Sequence, residues 1–151
     1  MEEEITNNIP ENILYYTAGI FDGEGCVCLM KTKPTPKNHQ KNIRFWLSAS
    51  IAMCHYETIN YLHNHFGGKI YIDKSTPSRP LYSLRFVDRG AVKFLLMILP
   101  YLITKKEVAQ LGIEFFTTKK RPTGYRLGTS DEEMAKRWWY HDEIKRINHL
   151  D

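Results

Sequence analysis

The chain has 151 residues, 42% of them hydrophobic and 25% charged, with a formal net charge of +4. That length and composition suit one domain with a real core and exclude wholesale disorder, and no apolar run approaches the ~20 residues that cross a bilayer. The modest net charge conceals a basic middle: residues 26–130 hold 17 Lys/Arg against 5 Asp/Glu, a surplus of +12, the footprint expected of a protein that meets a polyanion.

The N-terminus opens on Glu2, Glu3 and Glu4, unlike a signal or Arg-rich transit peptide. Residues 12–25 read as a helix and its stop, with Ile13, Tyr16, Ile20 and Phe21 as apolar contacts. Ala18 and Gly19 leave a flat spot where another helix backbone can approach. Gly23 and Gly25 are expected to end the helix with backbone angles that side chains forbid. Cys26, Cys28 and Cys54, odd in number and without CxxC spacing, fit a reducing compartment. The expected compartment is a bacterial or phage-host cytoplasm, or an organelle matrix or stroma if the gene is organellar.

Val27 to Lys33 reads as a strand ending before Pro34. Ile43 to Met53 follows as a long strand, with Phe45, Leu47, Ala49 and Ile51 on one face and Arg44, Trp46, Ser48 and Ser50 on the other. Glu57 to Phe66 is an amphipathic helix closed by Gly67-Gly68. A second strand pair places Ile70, Ile72, Tyr82, Leu84 and Phe86 inward, with Ser83 and Arg85 outward. Asp88 is the expected N-cap of a helix that runs to Leu99 and stops at Pro100. Thr104 to Glu107 spells a capping box for a helix through Phe116, and Ser130 to Glu133 a second one for the last helix. The chain is thus α+β: an antiparallel four-stranded sheet with helices on its apolar face. Its parts are a motif helix (12–25), sheet and helices (26–116), and a C-terminal loop and helix (117–151).

The segment Thr17-Ala18-Gly19-Ile20-Phe21-Asp22-Gly23-Glu24-Gly25 resembles the motif that names the LAGLIDADG homing endonucleases. Ala18, Gly19, Asp22 and Gly25 match outright, and Glu24 stands for the second acidic residue. The resemblance implies an αββαββα core whose exposed sheet straddles the DNA major groove. It also implies a metal-ligand role for Glu24, helped by the backbone carbonyl of Gly23. The motif occurs once, so one chain supplies one carboxylate, and the single-motif members are homodimers. Ala18, Gly19 and Asp22 would then form the dimer contact, with Mg²⁺ between the two copies of Glu24 for phosphodiester hydrolysis. Pro100 to Lys105 resembles the family's Pro-hydrophobic-Leu-x-x-Lys segment, which assigns Lys105 beside the scissile phosphate. Where many members carry a water-holding Gln near the end of the second strand, this sequence has Met53, which implies either that the water is held by another group such as Ser50 or His55, or that activity is reduced or absent.

The expected partner is a long, partly palindromic DNA duplex, cut on both strands during intron homing. Base contacts are assigned to the outward positions Cys28, Met30, Thr32, Arg44, Trp46, Ser48, Ser50, Tyr71, Ser83 and Arg85. Phosphate contacts are assigned to Lys31, Lys33, Lys37, Lys41, Lys74, Lys119, Lys120 and Arg121, with Lys69 as a further DNA contact. The alternative is a relative without nuclease activity: an intron-splicing maturase that binds intron RNA, or an inactive DNA- or RNA-binding module. A weaker rival is an interaction protein whose basic face meets an acidic partner.

Overall fold

The computed structural model describes residues 8–33, 43–120 and 128–150. Among these the chain order is α1 (Glu11–Glu24), β1 (Gly25–Thr32), β2 (Arg44–Met53), α2 (Tyr56–Phe66), β3 (Lys69–Asp73), β4 (Leu81–Val87), α3 (Asp88–Ile98), a 3₁₀ turn (Leu99–Tyr101), α4 (Lys106–Thr117) and α5 (Asp131–Asn148). The four strands form one antiparallel sheet in the order β1-β2-β4-β3. The predicted αββαββα order therefore holds, with two more helices behind it.

The alternation read in β2 survives in three dimensions. Phe45, Leu47, Ala49 and Ile51 are fully buried, and across the ladder Val27, Leu29, Leu84 and Phe86 share their face. Helices cover this face and shut water away from it. Phe94 of α3 is the hub: it stacks on Phe86 at 4.2 Å between ring centres and meets Phe66 and Phe21 edge-on at 5.3 and 5.7 Å. One ring thus ties α1, α2 and β4 together. Ile72 departs from expectation, being 52% exposed, because β3 lies at the sheet edge. In α4, a Cβ on Gly112 would lie 2.9 Å from a Leu47 methyl and 3.1 Å from Val27, so glycine lets the helix sit down on the sheet.

Several expected caps are replaced by longer-range contacts. Asp88 does not cap α3; it is the helix's first residue, at φ 47°, and its carboxylate accepts the Leu47 backbone N–H at 2.9 Å. The β2–β4 ladder ends at the pair Ser48–Val87, so Asp88 completes the next bond of β2 with a side chain. The Thr104–Glu107 box does not form: Lys105 occupies the N-cap position of α4 without a side-chain cap bond. Pro100 sits inside the 3₁₀ turn rather than after a clean helix end. Ser130 does cap α5, accepting from the Glu133 N–H at 3.2 Å.

Glu133 itself turns inward. Its carboxylate accepts the Lys120 N–H at 3.0 Å and pairs with Arg137 at 3.2 Å and Lys136 at 3.0 Å, while Arg137 also donates to the Lys120 carbonyl at 2.9 Å. Both partners of the Glu133–Arg137 pair are about 5% exposed as residues. This cluster fastens the N-terminus of α5 to the chain leaving α4. Burial pushes the Glu133 carboxyl up, but the bonds from Lys136, the Lys120 N–H and Arg137 outweigh it and hold it below the ordinary 4.5. Because the folded value is the lower one, its stabilisation is fully present above pH 4.5 and is lost as pH falls from there through the folded value. Glu133→Gln should cost about 3 kcal/mol by leaving Arg137 unpaired. Thermal melts from pH 7 to pH 3 should show the gap between wild type and variant closing in the acid range.

Candidate functional site

The site starts at the junction of α1 and β1. Helix α1 runs through Gly23 and ends at Glu24, so Gly23 does not stop it. Gly25 follows with φ −80° and ψ 158°, angles open to any residue. Glycine is needed there for space: a Cβ would lie 2.5 Å from both Phe21 Cγ and the Phe21 carbonyl oxygen. The strand therefore leaves the helix without a connecting loop, and the exposed Glu24 projects from the corner. Thr17, which stands where the motif has a leading leucine, is buried with its hydroxyl donating to the Ile13 carbonyl at 2.7 Å. A helical threonine can satisfy itself this way.

Asp22 holds this corner to the rest of the chain. Its carboxylate accepts the backbone N–H of Ile103 at 2.9 Å and of Lys105 at 3.0 Å. Lys105 returns the contact: its Nζ donates to the Asp22 carbonyl at 2.7 Å. That carbonyl lies in the last turn of α1, where carbonyls lack helical partners and a cation is favoured. The expected Lys105 is thereby brought to the helix end that bears Glu24. Asp22, a short carboxylate expected to bond backbone amides and also assigned to the dimer contact, engages both of its oxygens with amides of its own chain.

Ala18 requires a correction. It is 1% exposed and belongs to the core, so it offers nothing to a second chain. The open side of α1 carries Asn12, Tyr16, Gly19 and Gly23, spaced on one helical face. A Cβ at either Gly19 or Gly23 would meet nothing within 4 Å. Spacing within the helix could have indicated Gly23 as the partner of Gly19 four residues on.

The outward face of the sheet is a lattice of rows. Next to the corner lie Cys26, Ser50, Arg85 and Lys69, paired in sequence across all four strands. Ser83 and Tyr71 are paired further along β4 and β3; the Arg85 guanidinium stacks on the Tyr71 ring at 4.7 Å, and Lys69 Nζ lies 5.1 Å from it. A hydrogen bond from Cys28, opposed by burial and aided by the Lys105 charge, lowers the Cys26 thiol to about 6. The same bond, with burial, pushes Cys28 upward. Beyond them lie Cys28, Ser48 and Val87, then Met30 and Trp46, then Thr32 and Arg44. Ser48 is only 3% exposed, so it forms the floor of this face rather than a reading group. Val87, 48% exposed on the same face, was missed because it falls at the strand-to-helix boundary.

The lysines assigned to phosphates are dispersed. Lys33 and Lys74 are exposed, and Lys120 is exposed beside the Glu133 cluster. Lys31 lies on the helix side of β1, its ammonium 4.9 Å from the Trp138 ring centre. Lys119 donates to the Phe45 carbonyl at 3.1 Å. Lys37, Lys41 and Arg121 lie outside the described residues. Met53 points to the core face opposite Tyr82 and packs against the core, so it does not stand on the sheet face at all. His55 lines a cleft of about 420 Å³ with Asn12, Tyr16, Glu57, Thr58 and Tyr61, and its ring accepts the Thr58 N–H at 3.3 Å.

Replacing Asp22 with Ala should cost about 2 kcal/mol, since two backbone donors lose a charged acceptor. It should also release Lys105 from its position. Denaturant unfolding of Asp22→Ala against wild type measures the first effect, and an unchanged midpoint would refute it.

No family model and no curated protein matches the sequence. Solved structures do match in fold. The homing endonuclease I-CvuI, in complex with the I-CreI target in the presence of Mg and with its DNA not cleaved, superposes with a TM-score of 0.76 at 15% identity, over 93% of this chain and 85% of that one. The archaeal intron-encoded homing endonuclease I-Vdi141I, complexed with DNA, gives 0.71 at 16% identity over 94% and 88%. The LAGLIDADG homing endonuclease I-GzeII, in complex with its DNA target, gives 0.63 at 14% identity over 91% of this chain and 49% of that one. No helix of the described residues is long and apolar enough to cross a membrane. The chain has the fold of the LAGLIDADG homing endonucleases.

Proposed function

We propose that this chain is half of a homodimeric, divalent-metal-dependent endonuclease that cuts both strands of a specific DNA site. The observation that carries this is the continuity of the outward sheet rows with the end of α1, which bears Glu24 and to which Lys105 is bonded through Asp22. A duplex lying along those rows would present its backbone to both groups. The exposed Glu24 carboxylate and the Gly23 carbonyl, in the unpaired last turn of α1, are hard oxygen donors that suit magnesium. When bound, magnesium supplies Lewis-acid polarisation of the scissile phosphate and a hydroxide source at neutral pH. Lys105 offers a fixed positive charge where the phosphate gains negative charge. Arg85, Lys69, Tyr71, Ser50 and Ser83 are assigned to base edges near the cut, and the exposed lysines to phosphates.

Two chains are needed because one contributes a single carboxylate. Among the described residues no cluster of three or more His, Cys, Asp or Glu could hold a metal. This chain spans about half the length of I-GzeII but most of I-CvuI and I-Vdi141I, which is consistent with one motif per subunit. The face Asn12, Tyr16, Gly19 and Gly23 is the proposed contact, because two glycines let helix backbones approach closely.

Supplied with Mg²⁺ and a plasmid library of randomised sites, wild type should give linear product. Glu24→Gln should lose roughly 100-fold or more in cleavage, the scale of a lost electrostatic group at a reacting centre. Equal cutting by the variant would refute the role of Glu24. Gly19→Leu should leave the chain folded, because a Cβ there meets nothing within 4 Å, while weakening self-association at least ~10-fold, about 1.4 kcal/mol. Sedimentation of both proteins decides this; an unaltered dimer would place the interface elsewhere.

A further inference from the structure

The outward face of the sheet is not uniform, and two of the polar side chains at its far end are engaged with neighbours. Trp46 Nε1 donates to Thr32 Oγ1 at 3.4 Å, and the Arg44 guanidinium pairs with Asp88 at 3.7 Å. Ser48, next on this face of β2, is buried. Beside the exposed Arg44 and Thr32, the apolar surface is Met30 at 40%, Val87 at 48% and the half-buried Trp46 ring, with Cys28 Sγ 3.6 Å from Met30 Sδ. Met30 pairs directly with Trp46, and Val87 pairs with Ser48, two residues further along β2 and therefore diagonal to Trp46. They form one apolar patch on a face otherwise lined by Arg44, Thr32, Arg85, Lys69, Ser50 and Ser83.

In the major groove of DNA the one apolar group on a base edge is the thymine C5-methyl. We infer that Met30, Trp46 and Val87 read thymine methyls at the outer end of each half-site. This rests on the nuclease reading, since it takes duplex DNA as the occupant of the sheet. DNA is favoured over a protein partner by charge: the patch is continuous with the cationic row of Arg85 and Lys69 and lies in the segment with the +12 surplus. The patch begins two residues beyond that row and extends four beyond it. A strand advances about 3.4 Å per residue, close to the ~3.4 Å spacing of base pairs along one strand. The thymines thus lie roughly two to four base pairs further from the cleavage centre than the bases met by Arg85.

The test is a selection of bound duplexes from a randomised library, followed by titration of the selected site made with thymine and with deoxyuridine. Deoxyuridine keeps every hydrogen-bonding group and lacks only the methyl. Wild type should select A·T pairs at the outer positions and bind the deoxyuridine duplex about fourfold more weakly per methyl contacted. In Val87→Ser and Met30→Gln the thymine-to-uracil affinity ratio should fall toward one, and a ratio measured within each protein separates readout from misfolding. Tight, salt-dependent binding with equal thymine and uracil affinities overturns the methyl readout while leaving the nuclease reading intact. Absence of salt-dependent duplex binding by folded wild type overturns both. A change in sedimentation of Val87→Ser, with the ratio unmoved, makes the patch a protein interface and likewise overturns the inference.

Discussion

The Asp22 clamp is the contact on which the geometry of the site depends. A single carboxylate joins positions more than eighty residues apart, accepting two backbone donors that precede α4, and Lys105 closes the loop on the Asp22 carbonyl. Charge-assisted bonds of this kind are short and directional. They set where α1 ends relative to α4, and so where Glu24 stands relative to Lys105. Gly25 adds the other half of the constraint, because the steric room beside Phe21 lets β1 begin with no slack. Carboxylate, cation and sheet are thus held by adjacent residues rather than by a mobile loop.

The sheet then divides labour by parity. Its inner residues are buried against Phe94 and the helices, so register is fixed: a shift by one would expel the whole core. The outer residues inherit that register without contributing to it, and are free to carry chemistry. Near the corner they are cationic and hydroxylic; further out Met30, Trp46 and Val87 add an apolar patch beside Arg44, which pairs with Asp88. Asp88 links the two roles, completing a β2 backbone bond with one oxygen and holding Arg44 with the other. Its positive φ is the strain that this double task requires.

Helix α5 is tied at both ends. The Glu133–Arg137 cluster fixes its start, and Asn148 donates to the Val27 carbonyl at 2.8 Å near its end. Trp138 packs edge-on against Phe45 at 5.0 Å between these ties. The helix therefore braces β1 and β2, the two strands that carry Met30 and Trp46.

The sequence by itself determined the order of elements, the two faces of the sheet and the corner at Glu24. Each of these follows from local rules: period-two alternation, a helix followed by glycine, and charge counted along the chain. The phase of Phe45, Leu47, Ala49 and Ile51 was legible because burial selects one face of a strand. Only the tertiary structure decided the rest. Ala18 and Gly19 are neighbours in sequence, yet one faces the core and the other the open side, which depends on how α1 is rolled against α3. Thr104 and Glu107 spell a capping box, but the clamp from Asp22 shapes that turn instead. Met53 reads as a site position by alignment and is a core residue by parity. Contacts between distant segments overrode local preference in each case, because a buried or charged partner is worth more than a cap that water can replace.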